Sequence, residues 1–372
     1  MNYLGPILGG IYLVVAVVLA AGLRRQRSRH GIVPADLPPV SVVVAARNEE
    51  RDLPRCLEAL DQLTYPVGRL QIILVNDGSE DATRRIMDAY AARCTHVLAT
   101  DVALEFAHLP AKSKGLATGC ALATGEWIFV TDADAAVPRN WIQAMLANAS
   151  DDAGVLGGPF VPEGLDCVSQ LDEVVGCYLF GVVFAIPGLG GEAIPMGPNM
   201  AIRKAVYEHA GGLLRVSPTI AEDMAFLKMS KSQRRTCRGT AQPETVVRVT
   251  SVGSIPAMLE QQQRWAVGGL HDAPALIKLA VVLVGIYAWL GSVATLFGWL
   301  WSVDAWILTL ALRATAESLI AHGLAKSIGL RLSLRQYIAL QLYFNIGWLI
   351  VPAWAFATRR AVWRGAGYAE RL

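Results

Sequence analysis

A short apolar run that ends in two carboxylates is the feature that most constrains the fold of this chain. Trp127–Thr131 combines aromatic and β-branched side chains, and Asp132 and Asp134 follow it one residue apart. Such a run is typical of a strand buried in a parallel sheet, and open α/β sheets bind ligands beyond the carboxyl ends of those strands. Residues two apart in an extended segment project to one side, so we expect both carboxylates to face one pocket.

These two carboxylates have two interpretations. Carboxylates held close together repel one another unless a cation lies between them, and Mg²⁺ takes oxygen ligands while it keeps waters and substrate phosphates. The pair therefore fits a site for a metal ion and a diphosphate. A solvated turn after the strand is the alternative, because Asp is common in turns and a DxD motif alone is weak.

Two earlier segments repeat the pattern of an apolar run with a polar end. Val40–Ala46 and Leu70–Val75 are rich in β-branched residues, and helical patterns separate these runs from each other and from Trp127–Thr131. Strands that alternate with helices predict an α/β fold with a largely parallel sheet. The polar residues then expected along one edge of the sheet are Asn48, Glu49, Asp77, Asp132 and Asp134.

Other polar residues suit chemistry, but each also has a structural explanation. An ionised carboxylate only accepts hydrogen bonds, so Asp77 suits a nucleobase or a ribose hydroxyl, and an ordinary turn explains it equally well. Lys112 and Lys114 would offer a point charge to a diphosphate or begin a solvated helix. Glu222 and Asp223 precede a helical pattern, where an acid serves as a helix cap or as a general base.

The segment QQQRW, residues 261–265, also supports two interpretations. Arg264 is suited to bind anions, and the ring of Trp265 is suited to stack on another ring. An amphipathic helix at a membrane surface, anchored by the tryptophan, explains the same residues. Both interpretations can hold together.

Several classes of site lack support in the sequence. No GxxxxGK[ST] or GxGxxG motif follows a strand, so the fingerprints of P-loop and dinucleotide-binding proteins are absent. The net charge of +2 and the lack of a basic stripe give no argument for a nucleic-acid partner. The six cysteines form no CxxC pair, so we expect reduced thiols rather than a disulfide framework or a zinc site.

The N-terminal segment predicts a membrane anchor. The chain of 372 residues has a charged fraction of only 17% and a mean hydropathy of +0.39. Tyr3–Leu23 carries no charge and is long enough to cross a bilayer, and four arginines follow it by position 29. A cleavable signal has its charges before the apolar run, so we expect a retained anchor. The positive-inside rule then places the N-terminus outside and the following domain in the cytoplasm.

Three further apolar segments follow, at Leu279–Val303, Ala305–Ala325 and Tyr337–Thr358. Arg313 and Glu317 lie four apart on one helical face, so we expect them to pair inside a helix bundle. Arginines on both sides of the last segment conflict with the positive-inside rule. We therefore expect one segment to be re-entrant or interfacial, and Ala305–Ala325 is the candidate because it contains charges.

Five motifs taken in order, VSVVVAARNEE, VNDGS, DAD, AED and QQQRW, resemble those of membrane-bound family 2 glycosyltransferases. This superfamily contains cellulose and hyaluronan synthases and ceramide glucosyltransferase. Each motif is weak alone, but five in the right order and approximate spacing, over about residues 40–270, are highly specific. The resemblance implies a GT-A nucleotide-binding fold with N- and C-terminal transmembrane helices, a nucleotide-sugar donor, Mg²⁺ or Mn²⁺, and inversion at the anomeric carbon.

On the donor side, the resemblance assigns roles to five residues. Asp77 matches the acid that recognises the nucleobase, and Glu49 lies where the first strand end approaches the nucleotide. Asp132 and Asp134 match the metal and diphosphate motif. Lys112 is the lysine assigned to the donor, although Lys114 competes with it for this role.

On the acceptor side, Asp223 matches the catalytic base of the ED motif. Gln261, Arg264 and Trp265 match QxxRW, which lies near the acceptor and the donor diphosphate in the family. One departure is Asn76, where the family often has an acid. Because the second acid of that motif is the expected nucleobase contact, the departure costs little.

The expected organisation is an anchor at residues 1–30, a cytoplasmic GT-A domain at 40–255, an interfacial helix at 256–272 and transmembrane segments at 275–358. These segments are too few to enclose a channel for a sugar chain. We therefore expect a cell-membrane enzyme that moves one sugar, from a UDP-sugar, to a lipid. A processive polysaccharide synthase with partner subunits and a catalytically silent nucleotide-sugar-binding protein are the alternatives.

Overall fold

Strands alternate with helices through the first half of the chain, as the hydrophobic pattern predicts. The computed structural model describes residues 3–28, 31–110, 112–215, 222–272, 290–291, 293, 302–358, 361–363 and 366–368. The helices are α1 (Leu4–Ser28), α2 (Leu53–Asp61), α3 (Thr83–Ala91), α4 (Ser113–Leu122), α5 (Trp141–Leu146), α6 (Cys167–Gly188), α7 (Lys204–His209), α8 (Glu222–Ser232), α9 (Ile255–Asp272), α10 (Val303–Ser327) and α11 (Leu334–Thr358). The strands are β1 (Val40–Ala46), β2 (Leu70–Asn76), β3 (Val97–Asp101), β4 (Trp127–Asp132), β5 (Ala135–Ala136), β6 (Ala153–Gly157), β7 (Phe160–Glu163), β8 (Met200–Arg203), β9 (Thr236–Gly239), β10 (Val247–Thr250), β11 (Ala361–Trp363) and β12 (Ala366–Tyr368).

A seven-stranded sheet in the order β3-β2-β1-β4-β8-β6-β9 forms the centre of the molecule. Its neighbouring strands are parallel except at β8, which runs antiparallel to β4 and β6. Ala46 lies opposite Asn76, and Ala45 lies opposite Asp132, so β1, β2 and β4 end at one edge. The prediction of a largely parallel sheet is confirmed.

Both faces of this sheet are covered, which explains why its strands read as continuous apolar runs. On β1, Val42 and Val44 pack on one side with α2, α3 and α5, while Val43 and Ala45 pack on the other side with α4. Both groups are nearly or fully buried. The pleat of the strand therefore divides the apolar residues between two layers of helices.

A small second sheet stands beside the end of β4. Its order is β5-β10-β7, with β10 antiparallel to β5 and parallel to β7. The backbone amide of Thr250 donates to the carbonyl of Asp134 at 3.1 Å. This contact holds the turn after β4, which carries the second carboxylate of the DAD motif, against β10.

Helix α10 runs parallel to α1 over most of their lengths. Gly5 and Gly9 of α1 face Thr309 and Leu312 near the start of α10, and Leu23 at the other end of α1 faces Gly323. Helix α10 is one uninterrupted helix beside α1, and the expectation of a re-entrant or interfacial segment at Ala305–Ala325 stays a prediction about the membrane. The predicted segment Leu279–Val303 lies almost wholly outside the described residues.

The predicted pairing of Arg313 with Glu317 is present inside α10. Arg313 Nη2 lies 3.5 Å from Glu317 Oε1, and both side chains are buried. Helix α11 returns antiparallel to α10, since His322 Nδ1 lies 2.9 Å from the hydroxyl of Tyr337 across the connection. The end of α10 and the start of α11 therefore share one end of the helix bundle with the C-terminus of α1.

Helix α6 crosses this end of the bundle. Near its start, the backbone carbonyl of Gln170 accepts from Gln336 of α11 at 3.4 Å. Gly181 then faces Ile320 of α10, and Gly188 at the end of α6 meets Gly22 of α1. Among the described residues, Gly5–Ser28 and Cys167–Gly188 are long and apolar enough to cross a bilayer by length and composition. Since both ends of α6 return to the sheet, in this fold α6 connects the sheet to the bundle.

Candidate active site

The loops that follow β1 and β2 are joined by hydrogen bonds at the edge where these strands end. Asn48 adopts a left-handed φ of 54°, and its side-chain oxygen accepts from the amide of Glu80 at 2.9 Å. The amide of Glu49 donates to Thr83 Oγ1 at 2.7 Å. Glu49 therefore lies at the predicted edge of the sheet, in a loop whose backbone is fixed.

Asp77 is buried in the next loop with only half of its carboxylate satisfied. Oδ1 lies 2.8 Å from Lys114 Nζ, while Oδ2 is inaccessible to solvent and has no hydrogen-bond partner. A buried acceptor without a donor costs about 1–3 kcal/mol. The neighbouring Asn76 instead has a structural role, because its amide donates to Asp101 at 2.7 Å. Asp77 thus presents the unsatisfied acceptor that a ligand N–H would fill.

Lys112 joins the end of β4 to the start of α8. Its ammonium contacts Asp132 Oδ1 directly and lies 3.7 Å from Glu222 Oε1. Burial alone would lower the pKa of Lys112, but the charges of these two carboxylates raise the pKa above its usual value. The lysine therefore stays cationic beside the DAD motif, whereas Lys114 pairs with Asp77.

Asp223 is an acid whose pKa is raised toward neutral pH. Burial, followed by the charge of Glu222, raises its pKa to about 7, while amides of Met224 and Gly197 that donate to its carboxylate oppose the shift. The Met224 amide lies 2.8 Å from Oδ1. Burial also raises the pKa of Glu222. A half-buried carboxyl with such a pKa is suited to accept a proton near pH 7.

Asp132 and Asp134 provide a donor set made only of carboxylate oxygens. Among the residues that the structure describes, no group of three or more His, Cys, Asp or Glu side chains is placed to hold a metal ion. Two carboxylates suit a hard divalent cation such as Mg²⁺ or Mn²⁺ that completes its shell with waters and phosphate oxygens, and their role as metal ligands stays a prediction. The thiol of Cys56 behind Asp132 stays neutral, because burial and the charges of Asp134 and Asp132 raise its pKa.

Helix α9 carries the QxxRW residues into contact with the apolar core. The ring of Trp265 packs against Phe160 and Phe180, with centroid distances of 5.7 and 5.6 Å. Gln261 Oε1 is buried without a hydrogen-bond partner. The side chain of Arg264 lies outside the described part of the chain. Trp265 thus anchors α9, and the roles of all three residues at the acceptor and diphosphate stay predictions.

Ion pairs group some of the predicted site residues in two clusters at the sheet edge. The first holds Asp77 with Lys114, and the second joins Asp132 to Lys112 and Glu222. The contact between Glu222 and Lys112 was not predicted from the sequence. The signal for it was the acidic pair at the start of α8, which we weighed only as a cap or a base.

Comparison with known proteins identifies two matching families. The profile described as glycosyl transferase family 2 matches residues 41–174, and that described as glycosyl transferase family group 2 matches residues 127–357. The second match alone covers more than half of the chain.

The curated relatives match over shorter stretches. The probable glycosyltransferase YdaM of Bacillus subtilis is 29% identical over 188 residues, 48% of this chain and 43% of that protein. The undecaprenyl-phosphate 4-deoxy-4-formamido-L-arabinose transferase of Klebsiella pneumoniae is 32% identical over 125 residues, 32% of this chain and 37% of that one. The beta-monoglucosyldiacylglycerol synthase of Nostoc is 25% identical over 285 residues, 70% of this chain and 56% of that one. The chain thus spans less than two thirds of the length of these relatives.

One solved structure matches over nearly the whole chain. It is the mannosyltransferase PcManGT of Pyrobaculum calidifontis, solved in complex with GDP-mannose and Mn²⁺. The identity is 18% and the TM-score is 0.61, with 96% of this chain and 99% of that chain covered. At this identity the likeness concerns the fold, and the predicted GT-A architecture is confirmed.

Proposed function

This chain belongs to the family 2 glycosyltransferases, and from that premise we propose that it transfers one sugar from a UDP-sugar to the hydroxyl of a membrane lipid, with inversion. The observation that carries the proposal is the gathering of Asp77, Lys112, Asp132 and Asp223 along one edge of the sheet. Such a site combines an acceptor for a nucleobase, a fixed cation for a diphosphate and a base tuned near neutral pH.

The donor is held first through its nucleobase. The buried Oδ2 of Asp77 lacks a hydrogen-bond donor, and uracil supplies one from its ring N–H. Lys114, 2.8 Å from the other oxygen of Asp77, would donate to the adjoining base carbonyl. Glu49 would approach the nucleotide from the loop after β1. Asp77 therefore orients the nucleotide with its diphosphate toward Lys112 and the DAD motif.

The chemistry is a single displacement at C1 of the sugar. Asp223 accepts the proton of the acceptor hydroxyl as its oxygen attacks C1, and the bond from C1 to the diphosphate breaks on the opposite face. The ammonium of Lys112 offsets charge that builds on the leaving diphosphate. A divalent cation held by Asp134 and Asp132 would supply further charge neutralisation there.

The next part of the proposal is that the acceptor is a lipid and that the helix bundle lies in a membrane. Two of the similar proteins are named for lipids, one as a transferase for an undecaprenyl phosphate and one as a synthase of a monoglucosyldiacylglycerol. Large apolar side chains stay exposed on three helices of the bundle, and on α11 they recur every four residues, at Leu334, Ile338, Leu342 and Ile346. A lipid environment would cover these faces. The arginines at the C-terminus of α1 would then lie in the cytoplasm with the sheet domain.

The test is a donor panel with the purified full chain in detergent. Protein with Mg²⁺ or Mn²⁺, lipid extract and each of several nucleotide-sugars should release nucleoside diphosphate with a UDP-sugar. Asp223→Asn is the matched inactive variant, and it should bind the donor with unchanged affinity because a base acts in the transition state. Donor binding without diphosphate release in the wild type would contradict the proposal and identify a catalytically silent binding protein.

A further inference from the structure

A tight turn at residues 196–199 connects the long α6 segment to β8 and touches both the DAD strand and the ED acids. We propose that this turn positions Asp223 for proton transfer, and that Thr131 and Asn199 are positioning residues that act through it. The inference rests on the proposed function, because the role of Asp223 as base belongs to that function. Three separate contacts carry it, one for each part of the turn.

Asn199 fixes the last residue of the turn. Its side chain is fully buried, and its amide nitrogen donates to the carbonyls of Pro159 and Thr245, each at 2.6 Å. Its amide oxygen accepts from the indole nitrogen of Trp141 at 2.8 Å. Both N–H donors and the oxygen acceptor of the Asn199 side chain are thus hydrogen-bonded, and their partners lie on three different segments. A buried network of this kind holds the backbone at position 199 in one place.

Thr131 fixes the middle of the turn to the strand that carries the metal motif. Its side chain is fully buried, and Oγ1 donates to the carbonyl of Pro198 at 2.8 Å. Thr131 directly precedes Asp132 on β4. The hydroxyl therefore sets the turn at a fixed distance from the end of β4, where the donor diphosphate is expected.

Gly197 is the part of the turn that reaches the acids. Its backbone amide donates to the carboxylate of Asp223. A Cβ at this position would lie 3.2 Å from Glu222 Oε1, so an alanine would press on the acidic pair. Among the described residues, the charged groups that act on Asp223 are Glu222 on its own helix and Lys112 before α4. The Gly197 amide adds a fixed dipole that orients the ionised carboxylate.

These contacts predict what happens when the turn moves. An amide that donates to a carboxylate favours its charged form, so a displaced Gly197 would raise the pKa of Asp223. The carboxylate would also lose its fixed direction toward the acceptor, and misplacements of about 1 Å cost large factors in rate. Donor binding would change little, because Asp77 and Lys112 hold the nucleotide from other loops.

The first experiment compares Thr131→Val with Thr131→Ser in the full chain, at a temperature where both variants are folded. The valine keeps the shape but loses the hydroxyl, so kcat should fall about tenfold while the donor KM stays within about twofold. The pH at which kcat falls on the acid side should rise by about one pH unit. Thr131→Ser retains the hydroxyl and should restore both values. A valine variant with the wild-type rate and pH profile would overturn the inference.

The second experiment compares Gly197→Ala with Gly68→Ala. Nothing lies within 4 Å of a Cβ at Gly68, so that variant should match the wild type in every measurement. Gly197→Ala should lower kcat about tenfold and leave the donor Kd unchanged. Loss of donor affinity, or no loss of rate, would overturn the inference. If the wild type transfers no sugar at all, the proposed function fails with it, whereas an active wild type with unaffected variants refutes the inference alone.

Discussion

At the residue scale, Asp223 sets the pH dependence that we expect of the reaction. Its pKa is raised to about 7, by burial and then by the charge of Glu222. A base works only when ionised, so kcat should be steady above pH 7 and fall as the pH drops through that value. The measurement is kcat at saturating donor across the pH range. An acid limb near pH 4, the ordinary value for Asp, would contradict the tuning by burial.

Asp77 gives a second prediction at this scale. Asp77→Asn replaces one acceptor oxygen by an amide that only donates, so it can no longer satisfy both Lys114 and a base N–H. Donor Kd should rise about tenfold or more, with kcat at saturation little changed. Glu80→Gln is the matched control, because Glu80 is an exposed acid in the same loop. Equal effects of the two substitutions on donor titrations would argue against nucleobase recognition by Asp77.

The residues at strand ends were predictable, while their partners were not. Asp77 and Asp132 follow from one rule, since parallel strands bring their carboxyl ends to a common edge. Which lysine meets which carboxylate depends on how α4 is placed over the sheet. The sequence therefore left Lys112 and Lys114 as competitors, and the structure gives each its own acid.

At the element scale, the close crossing of α1 and α6 depends on a glycine, which has no side chain at the contact. A Cβ at Gly22 would lie 2.4 Å from the carbonyl oxygen of Ala185, whereas nothing lies within 4 Å of a Cβ at Gly10. Gly22→Ala should therefore destabilise the protein by about 1–3 kcal/mol, as overpacking does. Gly10→Ala adds the same methyl to the same helix and should not destabilise it. Thermal unfolding in detergent measures both, and equal melting temperatures would contradict the close crossing.

Two elements show where pattern reading fails. Alternation of strands and helices predicts parallel neighbours, but β8 starts directly after the turn that Thr131 holds at the carboxyl end of β4, so it must run back antiparallel. The predicted pairing of Arg313 with Glu317 is present in α10, but the contact of α10 with α1 was not predicted. Counting charges assigns sides of a membrane and does not identify packing partners.

At the scale of the whole molecule, the helix directions predict the side of the C-terminus. Helix α10 runs parallel to α1 and α11 runs back, so with a cytoplasmic sheet domain Thr358 should lie outside. A cysteine added after Leu372, as the only accessible thiol, should react with an impermeant label on intact cells. Arg331→Cys, between α10 and α11, should react only after lysis. Protection of the terminal cysteine in intact cells would contradict this topology.

The small number of helices in the molecule also limits how many sugars the product can carry. In the part of the chain that the structure describes, α1, α6, α10 and α11 are too few to enclose a channel for a sugar chain, and the buried Arg313 and Glu317 pair with each other. Mass analysis of products made with excess donor should therefore show one discrete lipid product with a single added sugar. A ladder of many sugars on one acceptor would favour the processive alternative.

The crossing of α6 over three helices also has a consequence for biosynthesis. Its final turns find Gly22 of α1 already made, but its contacts with α10 and α11 involve residues that emerge later. Roughly 115 residues separate the end of α6 from the start of α10, and a ribosome adds about 5–20 residues each second. For on the order of ten seconds, the nascent chain therefore contains the long apolar α6 while α10 and α11 have not yet been made. The sheet can close in that interval, but the contacts between the sheet domain and the helix bundle are completed only after α10 and α11 have been made.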